Sequence, residues 1–554
     1  MFRQVLFLLF FISTCYASES IIQEVKFRDD DSAFRKASAL NPASHIKVFI
    51  PNIPYSYIAK CINSGLIRSY DNDRGWEYDL AKSHKRIDDY TYEFTLRKKL
   101  RFQDGTEFNT DSVIQNLTYF KKSPILYTNI DKIDFQIIKI DTYRFKIILN
   151  KKYEMFLLDL ARIYFYSEKY LDTYGFKGGE TGSAIQASGA FGMGPYILTK
   201  GYALGKKQTS KLELEANPYY WSKEYPKIKR VTVYTQLNTN EAIKMVTEQE
   251  GALDIVPIPF NKKIEVLTSK YAKFISTKST NNFIIFFNLI NANKKLRNLE
   301  VRIALNQAIN QENLLNFVYK KEGYISPFAT SVNYKVVQKV IKNSYVPQVK
   351  YSKEKIKKLL NGLSLNILTQ DYFMFLWKGI EYQLKQYGVT LNYDITSSEK
   401  DIYTQLLSTH NSKNTKDWDL LIWGDDDWYY QNPWTVFFIY ENGSSWSTIG
   451  KDNIMEKYIE IFFETKIGTK KYENVVSKIL HRVRDKAYNL RVPSPNKVIA
   501  VNKEVIYKPY QGAIIPLWKI EITKNHWSIR DKISYPLELH KPFKPKRINY
   551  ENNK

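Results

Sequence analysis

Cysteine is nearly absent: Cys15 and Cys61 are the only two in 554 residues. Cys15 falls in an N-terminal stretch read below as a leader, so Cys61 stands alone and no intramolecular disulfide is expected. A chain this long buries enough core to do without such staples, and Cys61 reads as a small buried apolar residue. Histidine is scarce too. The six, His45, His84, His410, His481, His526 and His540, form no H-E-x-x-H and no paired metal spacing. Gly201–Lys207 (GYALGKK) has one residue too few between its glycines for a phosphate-binding loop, and no Ser or Thr follows its first Lys. Gly-x-Ser-x-Gly does not occur. There is no repeat of fixed period and no low-complexity tract. Past the first residues no apolar run reaches membrane-spanning length; Asn282–Ile290 (NFIIFFNLI) is strand-sized. Zinc hydrolases, P-loop enzymes and disulfide scaffolds therefore lack support, and a secreted hydrolase remains a distant alternative without a motif.

At the N-terminus, Arg3 precedes the apolar Val5–Ile12 (VLFLLFFI), and no acid occurs before Glu19. Cys15-Tyr16-Ala17 sets small residues three before and one before a cut after Ala17, the pattern of a secretory signal peptide. An exported, periplasmic chain is expected. The alternatives are a buried first helix and a lipid anchor at Cys15; Ile12-Ser13-Thr14-Cys15 fits a lipidation site poorly because Thr14 stands where Gly or Ala is usual.

Acidic residues are in deficit: 57 against 82 Lys and Arg, a net charge of +25. The cations are scattered along the chain, apart from short groups such as Lys541–Arg547 (KPFKPKR), which favours a solvated surface over a nucleic-acid site. Such an exterior also suits anionic membrane surfaces. Apolar content is ample, at 44% hydrophobic with 42 Tyr and 31 Phe. Short apolar runs alternate with helical patterns, as in a mixed α/β protein. Tyr90–Arg97 (YTYEFTLR) reads as a strand with Tyr90, Tyr92, Phe94 and Leu96 on one face. Asn109 and Asn298 read as helix caps. Strands are expected at Lys211–Glu215, Val231–Tyr234, Phe283–Leu289, Leu363–Leu368 and Val389–Ile395, and helices at Lys353–Leu360 and Phe373–Tyr387.

Several segments together resemble the family 5 extracellular solute-binding proteins, which serve ABC importers of peptides, nickel chelates and some sugars. Tyr90–Gly105 resembles the family's "F-x-L-R-x-x-x-x-F-x-D-G" strand. Gly192–Leu198 (GMGPYIL) is similar to "G-T-G-P-Y", with Met193 for Thr. Leu214–Trp221 (LEANPYYW) is similar to "L-x-R-N-P-x-Y-W", with Ala216 where Arg is usual. Gly251–Ile255 (GALDI) resembles "G-x-x-D-I", and Val301–Asn310 (VRIALNQAIN) resembles "V-R-x-A-L-x-x-A-I-D". They keep the family's order over roughly 45–520. The motif residues Arg97, Gly194, Pro195, Trp221 and Arg302 read as scaffold.

The resemblance implies an α/β, two-lobed periplasmic-binding-protein fold of type II, peptide-binding branch, with an additional inserted domain. Lobe I would comprise 18–65, 188–282 and 508–554, the insert 66–187, and lobe II 283–507. It implies a monomer without cofactor or catalysis, holding a short peptide between the lobes and docking on an ABC transporter permease in the inner membrane. A nickel or other metal–chelator complex is the alternative ligand on the same fold.

The stretch Leu421–Phe437 (LIWGDDDWYYQNPWTVF) combines a strand end with three acids and, after them, the aromatics Trp428, Tyr429, Tyr430 and Trp434. By the resemblance, Trp423 lines a pocket and Asp426 or Asp427 meets a peptide's ammonium; a buried ammonium needs such a partner. The backbone of Trp423-Gly424-Asp425 suits pairing with an extended peptide. Tyr429 joins this set of candidates. The loop is longer than the family's usual one, so the choice among Asp425, Asp426 and Asp427 stays open, and a solvated acidic loop is the plain alternative. Arg162 is a candidate for a ligand carboxylate, or for an ion pair between lobes.

Overall fold

The computed structural model describes residues 40–530 except 52–53, 123–129, 131–132, 175–188, 190–191, 204–207, 223, 291–292, 294, 397–398, 409–416, 426–428 and 513–514. The expected leader, Asp426, Asp427, Trp428 and Lys541–Arg547 lie outside the described residues.

Two sheets organise the chain. The first has seven strands in the order Tyr196–Lys200, Lys211–Ala216, Arg230–Tyr234, His45–Phe49, Ile255–Pro257, Lys497–Asn502, Ala272–Thr277. His45–Phe49 pairs in parallel with Arg230–Tyr234 and Ile255–Pro257, and the remaining pairings are antiparallel. The second has five, in the order Thr390–Thr396, Ser364–Gln370, Leu420–Asp425, Asn282–Phe287, Asn489–Leu490. Ser364–Gln370 is parallel to both its neighbours, whereas Asn282–Phe287 is antiparallel to both of its own. Strands such as Asn282–Phe287 are buried on both faces, so they read as continuous apolar runs.

Among the described residues the chain passes between the sheets twice. Ala272–Thr277 lies in the first and Asn282–Phe287 in the second, joined by residues 278–281. Asn489–Leu490 lies in the second and Lys497–Asn502 in the first, joined by residues 491–496. These paired crossings join the two lobes. Lys497–Asn502, which falls within the expected 283–507, pairs with Ile255–Pro257 and Ala272–Thr277 of the first sheet. Its apolar run announces a buried strand without naming the sheet, since pairing partners are set by contacts far apart in sequence.

The crossings carry a polar clasp. The buried Glu322 of the second lobe accepts hydrogen bonds from Lys263 and from Ser276 Oγ (2.5 Å) of the first, and from Asn496 Nδ2 (3.3 Å) of the second crossing. Burial alone would raise the Glu322 carboxyl, yet these three donors hold it below the ordinary carboxylate range.

Within 66–187 lies a four-stranded antiparallel sheet, Ala81–Arg86, Thr91–Leu96, Arg144–Leu149, Phe135–Asp141. Tyr92, Phe94 and Leu96 face its core as the alternation predicts, while Tyr90 is exposed. The helix Thr110–Lys122 follows, and the Asn109 carboxamide accepts from Asp111 N at 2.8 Å. Motif residues weld this unit to the first lobe. Trp221 Nε1 donates to Asp79 at 2.7 Å, Arg68 donates to the same carboxylate at 2.5 Å, and the Arg97 guanidinium lies 3.9 Å from the Trp221 ring centroid. A Cβ on Gly194 would lie 2.4–2.5 Å from the backbone of Cys61, Ile62 and Asn63, which only glycine avoids. Arg302 donates to the carbonyls of Leu296, Lys486 and Ala487, fastening one helix to the end of another.

Asp254 of the G-x-x-D-I segment is fully buried. It accepts from Lys47 N (2.8 Å), Asn502 Nδ2 (3.1 Å) and Trp527 Nε1 (2.9 Å), and lies 3.2 Å from His526 Nε2. His526 Nδ1 is 2.9 Å from Ser528 Oγ. The order Asp–His–Ser resembles a hydrolytic relay, but all three are buried and Ser528 Oγ accepts from His45 N at 3.2 Å. With no approach for a substrate, the group serves to fasten the chain's C-terminal segment to the first sheet.

Candidate ligand site at the lobe junction

The central strand Leu420–Asp425 runs toward the junction. Its Trp423, Gly424 and Asp425 pair antiparallel with Ile284, Phe283 and Asn282, the residues that leave the first crossing. On the opposite edge the ladder to Ser364–Gln370 covers only Leu420 and Leu421. Gly424 thus lies past the end of that ladder, where extended backbone adjoins the crossings. A Cβ there would lie 3.2 Å from Phe373 Cζ, so the aromatic ring closes in on bare backbone. Trp423 is buried and stacks on Trp446, centroids 5.1 Å apart, with Tyr403 edge-on to both. It forms the apolar wall behind this strand.

Downstream of the acids, the loop meets three parts of the molecule at once. The Tyr429 hydroxyl donates to Asp159 Oδ1 at 2.5 Å, and Tyr153 donates to the other oxygen at 2.5 Å. The Arg162 guanidinium lies 5.1 Å from the Tyr429 ring centroid. All four side chains are buried. Burial, and next the Asp159 carboxylate, push the Tyr429 phenol well above its ordinary value. Arg162 and Tyr429, singled out separately in the sequence, are therefore neighbours. Tyr430 meets the first lobe: its ring lies 5.2 Å from Lys60 Nζ and edge-on to Tyr510 at 6.1 Å. Gln431 Nε2 donates to Gln511 Oε1 at 3.2 Å. Gly75, with φ of +77°, makes room; a Cβ there would lie 2.5 Å from the Tyr430 carbonyl. Asn432 donates to Tyr472 at 3.1 Å.

Asp159, Tyr153 and Glu322 were not singled out in the sequence. Each is an ordinary residue in an ordinary run; Glu322 is revealed by a partner 46 residues away, Asp159 by one 270 away, and Tyr153 through its bond to Asp159. Among the described residues no group of three or more His, Cys, Asp or Glu is placed to hold a metal ion, and no helix is long and apolar enough to cross a membrane. A cavity of about 690 Å³ beside Lys82, Arg97 and Trp221 lies on the inserted sheet, away from the junction.

Two lobes joined by paired crossings, with a loop of one seated against the other and against the insert, define a type II periplasmic-binding fold. The chain belongs to the bacterial extracellular solute-binding proteins, family 5, whose model for the family's middle region matches residues 75–447. It is similar to the glutathione-binding protein GsiB of Salmonella choleraesuis, 29% identical over 286 residues, which are 50% of this chain and 51% of that one. The chain spans about half the length of the curated relatives it matches. Among solved structures it is similar to the oligopeptide-binding protein AppA of Bacillus subtilis in complex with a nonapeptide: TM-score 0.70, 17% identity, covering 87% of this chain and 99% of that one. It is also similar to NikA of Staphylococcus aureus in complex with Ni(L-His)2, at TM-score 0.67 and 18% identity over 87% of this chain and 100% of that one.

Proposed function

We propose that this chain is the exported substrate-binding protein of an ABC importer, taking short peptides, glutathione among them, between its lobes and presenting them to a membrane permease. The observation that carries the reading is the strand Leu420–Asp425, which reaches the junction with its ladder to Ser364–Gln370 ended at Leu421. Main chain offered there pairs with a peptide of any sequence, and the following acids suit its ammonium. Of the acids, Asp426 and Asp427 are the proposed partners, with Trp423, Gly424, Asp425 and Tyr429 forming the wall. Arg162 acts through Tyr429, whose ring it faces. The lobes follow the two sheets, the first taking Lys497–Asn502 in addition to 18–65, 188–282 and the C-terminal segment, with 66–187 as the insert. The periplasm is the proposed compartment, reached by a leader cut after Ala17.

The test is native mass spectrometry of the purified chain with glutathione and a library of di- to pentapeptides. One-to-one complexes that weaken on Asp426→Asn/Asp427→Asn support the reading. Binding of nickel–histidine with no peptide complex, lost on Arg162→Ala and untouched by the acid variants, replaces it with a chelate carrier.

A further inference from the structure

A second cavity, of about 460 Å³, opens on the second lobe beside Leu289, Ile449, Asn453, Ile454 and Tyr488. None of its lining residues is among the candidate ligand-site residues. Five cations line it, Arg297, Arg302, Lys451, Arg482 and Lys486, against one carboxylate, Asp452. That carboxylate is already engaged. Arg482 grips it with two bonds of 2.6 Å, the Tyr488 hydroxyl donates at 2.5 Å, and the backbone N–H groups of Ile454 and Met455 donate at 3.1 Å. Arg302 is buried and spends its donors on backbone carbonyls, so its charge is left without a carboxylate. Arg297, Lys451 and Lys486 are exposed at the rim and pair with no carboxylate among the described residues.

Cations crowded around one concavity repel one another, and that repulsion is relieved when an anion enters. The fold gains nothing visible from the three rim cations. Their free donors, one planar fork and two ammonium groups, match the oxygens of a phosphate. The buried Arg302 and the Arg482–Asp452 pair supply a fixed floor beneath them.

We propose that this cavity is a binding site for a phosphate-bearing anion, either a soluble diphosphate or the headgroup of an anionic lipid. The site is independent of the peptide reading and survives its failure.

The experiment titrates the full chain with inorganic pyrophosphate by calorimetry at low ionic strength, and in parallel co-sediments it with phosphatidylglycerol vesicles. The variant Arg297→Ala/Lys451→Ala/Lys486→Ala is compared with a control of equal charge loss, Lys357→Ala/Lys358→Ala/Lys385→Ala, at exposed lysines on other helices. The rim variant is expected to bind at least about tenfold more weakly, with the control unchanged and both variants melting as the parent does. Loss confined to pyrophosphate assigns the site to soluble phosphates; loss confined to vesicles assigns it to lipid headgroups. No binding in either arm, or binding that the rim variant and the control weaken equally, overturns the proposal.

Discussion

Single buried groups set the sharpest expectations. Asp254 gathers donors from Lys47, Asn502 and Trp527 beside His526. Removing it leaves these donors unpaired, those of Asn502 and His526 in the core, so Asp254→Ala is expected to cost about 3–5 kcal/mol, read as a lower urea midpoint with unchanged slope. His45 gives a pH signature. Burial, then the charges of Arg230 and Lys47, lower its pKa from 6.5 to about 4. Between those values the unfolded chain binds a proton that the folded chain refuses, so stability rises with pH across this window and falls as the solution is acidified. A thermal midpoint that declines from pH 6.5 toward 4, and declines less in His45→Asn, is the expected result. Asp452 works lower down. Its carboxyl is held at about 2, because the bonds from Arg482 and Tyr488 outweigh the burial that would raise it. Its contribution is intact above the ordinary aspartate value and disappears as the pH falls toward 2.

At the scale of elements, the loop that reaches the insert depends on Gly75. Its backbone lies at φ of +77°, and a Cβ would strike the Tyr430 carbonyl and a Leu158 methyl. Gly75→Ala is expected to cost about 1–3 kcal/mol and to weaken peptide binding together with it. Gly443, at φ of +79° with open space around it, is the matched control whose alanine variant strains only itself. Most elements were legible in the sequence because periodicity is local. Lys353–Leu360 matches its expected bounds, and the caps Asn109 and Asn298 do cap. Residues 278–281 and 491–496, which join the lobes, were illegible: they are short, polar and without period. Nothing in the stretch Tyr488–Tyr507 announces a passage from one sheet to the other. The candidate site was half legible. Trp423, Gly424 and Tyr429 stand where the strand and loop reach the junction, but the Asp159–Tyr429 bond spans 270 residues and only folding brings it about.

For the whole molecule, a guest that touches both halves stabilises the folded chain by mass action. Peptide at a hundred times its dissociation constant should add about 2.7 kcal/mol, visible as a rise in melting temperature. If the proposed function holds, small-angle scattering should show the radius of gyration falling on addition of peptide, as lobes that close on a guest come together. Glu322→Ala removes the bonds to Lys263, Ser276 and Asn496. It should leave each lobe folded while broadening the distribution of scattering distances in the unliganded chain.

Two covalent tethers fix a line in space, as the spine of a book does. A body held along a line turns about it and has little freedom to slide or twist. Guests of unequal length must then be met by the angle at which the covers come to rest rather than by a shift in register. On the proposed function, a permease docking on the outside would read that angle as a report of what is held within.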